Sequence, residues 1–385
     1  MKTCCKKSDP SDLQTILKYT WQTLSTEKLR RRDYSSFVAG YDPGLSAKAV
    51  RRYAAAKELW RLEPAVVAIA LDIKARIEKR ALGLPPVRLR ERRDGMCGKV
   101  RVIGVESVLQ QIMEHVAVGC LEELWRKKLV YHQYASIQGK GQWAGARTLQ
   151  RWVKRKRFRY FVKLDVRKCF PSIRHEVAMR FLRHDIGKNR LLLWFAAELL
   201  KNHGDGLLIG SLLSQFLCNY LMSFAYRHAM DLFKARRGKR KWLLCCGLFY
   251  MDDVFLAGGD RRDVKMAVRA MIRFFRDGLG LSIKPDWHIK NIFGEPIDMM
   301  GYKIKRGGRL KVRGRIFLRA RRAFARFDGS LRMARKISSY YGYLKHCGIK
   351  IFQLQSGRML KVENVKNAAA NVVSLYDRRN VLCAA

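Results

Sequence analysis

Two apolar segments of this chain carry aspartates where a strand is expected to be buried. The first, RYFVKLDV (159–166), is typical of a buried strand and ends close to Asp165. The second, LLCCGLFYMDDVFLA (243–257), has two apolar runs joined at Asp252 and Asp253, which predicts a tight hairpin. A lone carboxylate is costly to bury in such surroundings. If strand and hairpin are neighbours in one sheet, the three carboxylates converge.

Helical patterns surround these strands, so we expect an α+β fold. Ser11 and Asp12 can cap a first helix, and the segment up to residue 80 reads as helical. The segment VRLRERRDGMCGKVRVI (87–103) alternates about Asp94-Gly95 and predicts a strongly basic hairpin. Further helices are predicted over 107–128, 175–202, 210–229, 262–279 and 318–345, with short strands over 298–317.

The charge of the chain points to a polyanionic partner. Its 385 residues include 79 lysines and arginines against 32 aspartates and glutamates, a formal charge of +47. With 48% hydrophobic residues, the chain is too apolar for a disordered basic tail. Such an excess repels itself unless a polyanion is near, so nucleic acid is the leading partner and an anionic membrane surface the second.

Other features argue against secretion and against a membrane span. The start, MKTCCKKSDPSD, lacks the apolar core of a secretory signal, and the ten cysteines form no CxxC pair. We therefore expect reduced thiols in a cytoplasmic protein. Residues 206–226 carry no charge and are long enough to span a bilayer, but their polar members favour a buried helix. These polar members are Ser211, Ser214, Gln215 and Asn219.

An acidic cluster in so basic a chain predicts a site for divalent cations. Carboxylate oxygens suit Mg²⁺, which binds through a few carboxylates and substrate phosphates. Two such ions roughly 4 Å apart can activate an attacking hydroxyl and stabilise a leaving pyrophosphate. The alternative is an aspartate pair that only makes a turn. The apolar strands, the upstream Asp165 and the basic hairpin favour the metal site.

Four motifs, in this order along the chain, resemble those of the reverse transcriptases. FVKLDVRKCFPSI (161–173) looks like the strand of the palm that carries the first catalytic aspartate, and LIGSLLSQFLCNYL (208–221) looks like the glycine-led helix under the templating base pair. LFYMDDVFLAG (248–258) looks like the catalytic hairpin, and IDMMGYKI (297–304) like the primer-grip turn. The resemblance covers residues 85–350.

This resemblance implies a right-hand polymerase and an order of domains along the chain. An N-terminal helical extension (1–84) would precede the fingers (85–158), and the palm (159–302) would contain a helical insertion (175–206). A short helical thumb with a C-terminal tail (303–385) would follow. Basic residues of 88–101, 147–157 and 303–336 would line a duplex of template RNA and cDNA or primer.

The resemblance also implies the catalytic residues. Asp165, Asp252 and Asp253 would be catalytic and, with the backbone carbonyl of Val166, would hold two Mg²⁺ ions, for which Mn²⁺ is a possible substitute. The turn of Met300, Gly301 and Tyr302 would grip the primer.

Residues expected to contact the incoming dNTP come from several motifs. Lys99 and Arg101 would contact the triphosphate, with a solvated basic face as the alternative. Phe170 would be a steric gate against ribonucleotides, with a core aromatic as the alternative. Either Lys284 or Lys290 would protonate the leaving pyrophosphate, and the sequence leaves both open. Ile209, Gly210 and Gln215 would lie beside the nascent base pair.

The helix motif resembles one subgroup in particular. IGSLLSQ (209–215) fits the [ILV]GxxxSQ form of diversity-generating retroelement enzymes, whereas many bacterial retroelement enzymes have QGxxxSP. IKPDWHI (283–289) and SSYYGYLKHC (338–347) are similar to other segments of that subgroup. The usual IGNLTSQ and FLGY are replaced here by IGSLLSQ and MMGY.

The subgroup implies an error-prone enzyme of bacteria or phages. It would misincorporate at template adenines and use a small basic accessory protein oligomer. Because Ile209 lacks the amide of a glutamine, fewer polar contacts would reach the nascent pair, and discrimination would weaken. The alternatives are a reverse transcriptase of retron, group II-like or phage-defence type, a catalytically silent RNA-binding protein on the same fold, and a membrane-surface protein.

Overall fold

The computed structural model describes residues 4–93, 100–347 and 362–382, and within them it has the mixed helix and strand content that the sequence predicts. The N-terminal part is helical, as expected. Asp12 caps the first helix by accepting a hydrogen bond from the Thr15 amide. The N-terminal helices are α1 (Leu13–Thr23), α2 (Thr26–Leu29), α3 (Arg32–Ala39), α4 (Ala47–Ala56) and α5 (Glu63–Glu78).

The basic hairpin follows, formed by β1 (Arg88–Arg93) and β2 (Val100–Val105). The two strands are antiparallel, with Arg92 opposite Arg101. The predicted turn at Asp94-Gly95 and the predicted nucleotide contact Lys99 lie outside the described residues. The helix predicted over 107–128 is two helices that meet at Leu121. The helices after the hairpin are α6 (Val108–Cys120), α7 (Glu122–Lys128) and α8 (Gln142–Lys154).

The central sheet has four antiparallel strands in the order β6-β7-β3-β8. Its strands are β3 (Tyr160–Asp165), β6 (Cys246–Tyr250), β7 (Asp253–Gly258) and β8 (Lys290–Asn291). The strand and the hairpin that carry the aspartates are therefore neighbours, as the sequence predicts. The turn of this hairpin is formed by Met251 and Asp252, and Asp253 already belongs to β7.

Along the described chain, five α-helices lie between the strands of this sheet, and a second hairpin projects beside the sheet. The helices are α9 (Cys169–Ser172), α10 (His175–Ile186), α11 (Arg190–Lys201), α12 (Leu212–Met230) and α13 (Arg261–Arg273). The hairpin between α12 and β6 consists of β4 (Phe233–Arg236) and β5 (Lys239–Trp242). Ser211 caps α12, the helix predicted from the uncharged segment. Among the described helices, none combines the length and apolarity that crossing a bilayer requires.

The C-terminal part combines a small sheet with helices. The strands β9 (Ile297–Met299), β10 (Tyr302–Ile304) and β11 (Leu310–Val312) form the sheet, and the helices are α14 (Gly314–Ala325), α15 (Leu331–Leu344) and α16 (Val362–Leu382). The strands predicted up to residue 317 therefore end earlier, because α14 begins at Gly314. The boundary predicted at residue 302 falls inside this sheet.

One hydrophobic core joins the N-terminal helices to the central sheet. It includes Ile16 of α1, Ile69 of α5, Ile112 of α6 and Leu217 of α12, together with Leu164 of β3. The helices before the basic hairpin are thus packed into the same body as the aspartates. Every cysteine in the described part of the chain is a free thiol.

Candidate active site

The three aspartates meet at one end of the central sheet. Asp165 is the last residue of β3, and its register partner on β7 is Asp253. Asp252 lies in the turn just before, and its carbonyl accepts a hydrogen bond from the Val166 amide at 3.1 Å. The antiparallel pairing of β3 with β7 therefore brings the three residues to one end of the sheet, as expected for neighbouring strands.

Lysines pair with the two outer carboxylates. Lys284 Nζ lies 2.7 Å from Asp165 Oδ1, and Lys163 Nζ lies 2.8 Å from Asp253 Oδ1. Lys163 was not predicted, although the two-residue period of a strand places it on the same face of β3 as Asp165. Lys290, the other candidate for the leaving group, pairs with Glu295 and sits opposite Phe161 on β3. Its backbone is about 13 Å along that strand from Asp165.

The surroundings shift the protonation of two groups. Burial raises the pKa of Asp252 above its ordinary value, and the negative charges of Asp253 and Asp165 raise it further. The charge of Arg101 acts in the opposite sense, which shows that β2 of the basic hairpin lies close to this carboxylate. The contact with Asp165 raises the pKa of Lys284, so its ammonium stays protonated at neutral pH.

The carboxylates fit a divalent cation by the chemistry of their oxygens. Asp165 Oδ1 is shielded from solvent, and within the described chain the Lys284 ammonium, at 2.7 Å, is the group that contacts it. An oxygen of this kind retains a lone pair that a hard cation can use. Oxygens of the three aspartates do not all lie within 4.8 Å of one another, since these residues form no such group. The metal ligands expected from the sequence are Asp165, Asp252 and the Val166 carbonyl, with Asp253 beside them.

The glycine-led loop before α12 contacts the basic hairpin through its backbone. The Gly104 amide of β2 donates to the Ile209 carbonyl at 2.9 Å. Gly210 has φ +117°, and a Cβ there would lie 2.8 Å from the Gly104 carbonyl oxygen. Glycine is therefore required at position 210 both for its backbone conformation and for this close approach. The contact holds the loop against the strand that carries Arg101.

Two other predicted nucleotide contacts lie around this loop. Phe170 is half-buried at the border of the main core, and its carbonyl accepts from the Leu207 amide at 3.0 Å. Gln215 is half-buried in the first turn of α12. The structure thus brings Phe170 and Gln215 to the same loop as Ile209 and Gly210, and Arg101 to the same end of the sheet.

The predicted primer-grip turn is buried. Met300, Gly301 and Tyr302 connect β9 to β10, and all three are buried. A Cβ at Gly301 would lie 2.5 Å from the Tyr343 ring of α15, so the turn packs tightly under that helix. In this structure the turn joins the C-terminal helices to the central sheet.

Beside the loop lies a buried polar cluster that the sequence does not reveal. His203 Nε2 lies 3.1 Å from Glu106 Oε1 and 3.1 Å from Glu114 Oε1. The Glu114 carboxylate also accepts hydrogen bonds from the Ser211 hydroxyl and from the Leu212 amide, so it caps α12. A cluster of residues so far apart along the chain has no local sequence signal.

Opposing effects set the charges of this cluster. Burial lowers the pKa of His203, but the two carboxylates outweigh burial and raise it to about 9. Burial raises the pKa of Glu106. Burial also acts to raise the pKa of Glu114, but His203 outweighs it and holds that pKa below its usual value. Within the described residues, these three form the group whose ligand atoms are close enough to hold a metal ion.

Comparison with known proteins places residues 85–304 in a family described as reverse transcriptase (RNA-dependent DNA polymerase), and this match covers more than half of the chain. No curated protein sequence matches the chain. Among solved structures it is similar to telomerase from Candida albicans in complex with a TWJ fragment of telomeric RNA, with 11% identity and a TM-score of 0.44 over 74% of this chain.

A second similar structure is apo telomerase from Candida Tropicalis truncated from its C-terminal domain, with 11% identity, a TM-score of 0.43, and coverage of 81% of this chain and 84% of that one. The chain spans 61% of the length of the Candida albicans protein.

Proposed function

The chain belongs to the reverse transcriptase (RNA-dependent DNA polymerase) family of nucleotidyltransferases, and from this membership we propose that it copies a template RNA into cDNA. The observation that carries the proposal is the register pairing of Asp165 with Asp253, with Asp252 in the adjoining turn. A turn alone would not need a third aspartate on the neighbouring strand, so this arrangement favours a metal site. The aspartates also lie beside basic residues suited to a triphosphate. The mixed fold fits a right-hand polymerase, with the central sheet as the palm and the basic hairpin in the fingers.

Asp165, Asp252 and the Val166 carbonyl would hold two Mg²⁺ ions, with Asp253 beside them and Mn²⁺ as a possible substitute. Bound ions of this kind supply a more acidic primer hydroxyl and neutralise charge on the leaving pyrophosphate. The lysines of the site have complementary roles. Lys163 holds Asp253 in place, and Lys284, protonated beside Asp165, is positioned to give a proton to the leaving group.

The incoming dNTP would lie between β2 and the loop before α12. Arg101 would contact the triphosphate, and Gly210 keeps the loop close to β2. Phe170 would press on the 2′ position of the sugar. In primer extension, Phe170→Val should increase incorporation of ribonucleotides by tenfold or more while deoxynucleotide incorporation changes little. If Phe170→Val rejects ribonucleotides as strongly as the parent does, Phe170 is a core aromatic, the alternative that the sequence leaves open.

The decisive experiment replaces one carboxylate by its isosteric amide. Asp252→Asn should abolish Mg²⁺-dependent cDNA synthesis on a pre-annealed RNA template with a DNA primer, and it should leave RNA binding intact. Asp231→Asn, at an exposed position after α12, is the matched control and should retain synthesis. Synthesis that survives in Asp252→Asn would refute the metal assignment. Loss in both variants would indicate a general effect of charge.

At a finer level, we propose a diversity-generating enzyme that is error-prone at template adenines, acting in the cytoplasm with a small basic accessory protein. The support is the Ile209–Gln215 motif together with segments 283–289 and 338–347. Ile209→Gln should lower misincorporation opposite adenine severalfold, read by sequencing the cDNA. An unchanged adenine error spectrum would remove Ile209 from the explanation. Flanking DNA distinguishes the retron, group II-like and phage-defence alternatives, because a near-repeat pair that differs at adenines favours diversification.

A further inference from the structure

The β4–β5 hairpin, FKARRGKRKW (233–242), is not used by the proposed active site. It projects between α12 and β6 as an antiparallel pair, with Phe233 opposite Trp242 and Arg236 opposite Lys239. Its six cationic residues are Lys234, Arg236, Arg237, Lys239, Arg240 and Lys241. A run of this kind is usually a solvated face, so its packing and its position decide whether it has a further role.

The base of the hairpin is fixed to the body of the protein. Lys234 and Lys241 both pair with the buried Asp263 of α13, and Lys241 Nζ lies 3.0 Å from its Oδ2. The Leu243 amide donates to the Leu232 carbonyl at 2.9 Å, which continues the pairing below the strands. The hairpin is therefore held in one orientation on α13.

The tip carries cations that have no acidic partner. Within the described chain, none of the four tip residues forms an ion pair with a carboxylate; they are Arg236, Arg237, Lys239 and Arg240. Two cations neutralise Asp263, whereas four remain available. Unpaired cations concentrated on a fixed element attract a polyanion, because binding releases its condensed counterions.

Aromatic rings accompany these cations. Phe233 and Trp242 are 45% and 53% exposed, and their rings meet edge to face at 5.9 Å. The Arg240 guanidinium lies 4.7 Å from the centre of the Phe233 ring. Exposed rings beside arginines are the platforms on which unpaired bases stack in single-strand-binding proteins. An acidic protein would use the cations alone, whereas a single-stranded nucleic acid uses both the cations and the exposed rings.

The surface lies at the end of the sheet opposite the aspartates. Arg240 and Trp242 line a groove together with Arg157 and Cys245, and Gly259 and Asp260 also line it. A second groove shares that wall and is lined by further cations, Arg159, Arg261, Arg262 and Lys265. Gly258 ends β7 and Asp253 begins it, so the backbone at this end is about 17 Å along the strand from the carboxylates.

We propose that this surface, formed by β4–β5 and the two grooves, binds a single-stranded segment of RNA away from the catalytic carboxylates. The tip cations contact its phosphates, and Phe233 and Trp242 stack on its unpaired bases. The inference rests on the proposed function for one point, that RNA is the polymer this chain handles. A template longer than the duplex in the catalytic cleft would then be held at two places.

Binding of a labelled, unstructured 12-nucleotide RNA tests the proposal by fluorescence anisotropy over a salt series. The tip variant, R236A/R237A/K239A/R240A, should bind roughly tenfold more weakly, and the slope of log affinity against log salt should fall by about 2–3 for four lost phosphate contacts. Trp242→Ala should weaken binding by roughly tenfold with the slope unchanged, because it removes stacking and no charge. The matched control, K48A/R52A/K57A/K79A, removes four cations from the exposed N-terminal helical region and should bind like the parent.

A second readout locates the RNA directly. Cys245 is exposed and lines the same groove, whereas Cys347 belongs to the C-terminal helical part. Saturating RNA should slow alkylation of Cys245 severalfold in peptide-resolved mass spectrometry, with Cys347 as the internal reference. Equal labelling of Cys245 with and without RNA would overturn the proposal, as would unchanged RNA affinity in the tip variant.

Primer extension on a short pre-annealed substrate separates this inference from the proposed function. The tip variant should extend that substrate at the parental rate, since the substrate reaches only the catalytic end. Loss of extension together with loss of binding would assign the hairpin to the catalytic cleft and overturn a separate site. An inactive parent that still binds RNA through the hairpin would refute the proposed polymerase and leave this surface standing. Parental RNA binding by the tip variant, with loss of a co-purifying protein, would make the surface a protein-docking site instead.

Discussion

Asp165 and Asp253 face each other across β3 and β7, as the last residue of one strand and the first residue of the other. This pairing places like charges together where both strands end, and each carboxylate has its own lysine, Lys284 and Lys163. The lysines offset a repulsion that would otherwise destabilise the sheet end. The same arrangement leaves the central Asp252 without an ammonium among the described ion pairs, and its pKa is raised.

Lys284 and Lys290 should differ sharply in their importance for catalysis. Lys284→Met should lower the single-turnover rate of nucleotide addition by about 100-fold, since general acid catalysis typically contributes 10²–10⁴. Lys290 pairs with Glu295, so Lys290→Met is the matched control. Its single-turnover rate should stay within about threefold of the parent rate. The Lys284 variant should also lose the decline in rate at high pH that deprotonation of an ammonium causes. Equal rates for the two variants would contradict the assignment.

Asp252→Asn should stabilise the metal-free protein. Because the folded-state pKa of Asp252 is raised, its contribution to stability is lost as the pH rises through that value, and the ionised carboxylate is unfavourable at pH 7. An amide removes this cost, so the midpoint of thermal unfolding in chelator should rise above that of the parent. Asp231→Asn should leave it unchanged. Millimolar Mg²⁺ should stabilise the parent but not Asp252→Asn, and a variant that is less stable in chelator would refute the argument.

His203 should make the fold sensitive to alkaline pH. The pKa of His203 is raised to about 9 in the folded protein, against about 6.5 in the unfolded chain. The stability that this difference contributes is therefore complete below pH 6.5 and is lost as the pH rises through 9. The free energy of unfolding should fall by about 3 kcal/mol across this window, which denaturant titrations at pH 6 and pH 10 would measure.

Two variants separate the members of that cluster. His203→Gln should be less stable at pH 6 and should lack the decline between pH 6.5 and 9. Glu106→Gln removes one of the carboxylates that raise the pKa of His203, so its decline should be smaller and should be complete at a lower pH than in the parent. Parallel pH profiles for the parent and His203→Gln would show that the proton is held elsewhere.

Gly210 should be far less tolerant of a side chain than the nearby Gly204. Both have positive φ, but a Cβ at Gly204 meets nothing within 4 Å, whereas at Gly210 it would lie 2.8 Å from the Gly104 carbonyl. Gly204→Ala should therefore lower the free energy of unfolding by about 1 kcal/mol through backbone strain alone. Gly210→Ala should lower it by about 2–3 kcal/mol, because displacement of the Gly104 carbonyl adds to the backbone strain. Gly210→Ala should also raise the KM for the dNTP, as the loop moves away from Arg101. Similar effects from both substitutions would show that the contact with β2 is unimportant.

The sequence by itself determined the elements that depend on local pattern. The apolar runs around Asp165 and around Asp252-Asp253 predict a strand and a hairpin, and of the two predicted caps, Ser11 and Asp12, the structure uses Asp12. Their order along the chain also carried the resemblance that the match over residues 85–304 confirms at the level of the family. These signals are readable because backbone geometry repeats every two residues in a strand and every 3.6 in a helix.

Only the tertiary structure decided which distant residues meet. Lys284 and Lys290 look equivalent in the sequence, but the pairing of β8 with the start of β3 carries Lys290 away while Lys284 stays beside Asp165. Glu106 lies just before α6 and Glu114 within it, His203 follows α11, and the three meet only when α6 and α11 pack together. Position at a sheet end and convergence in a core are set by long-range packing, for which single-residue patterns carry no signal.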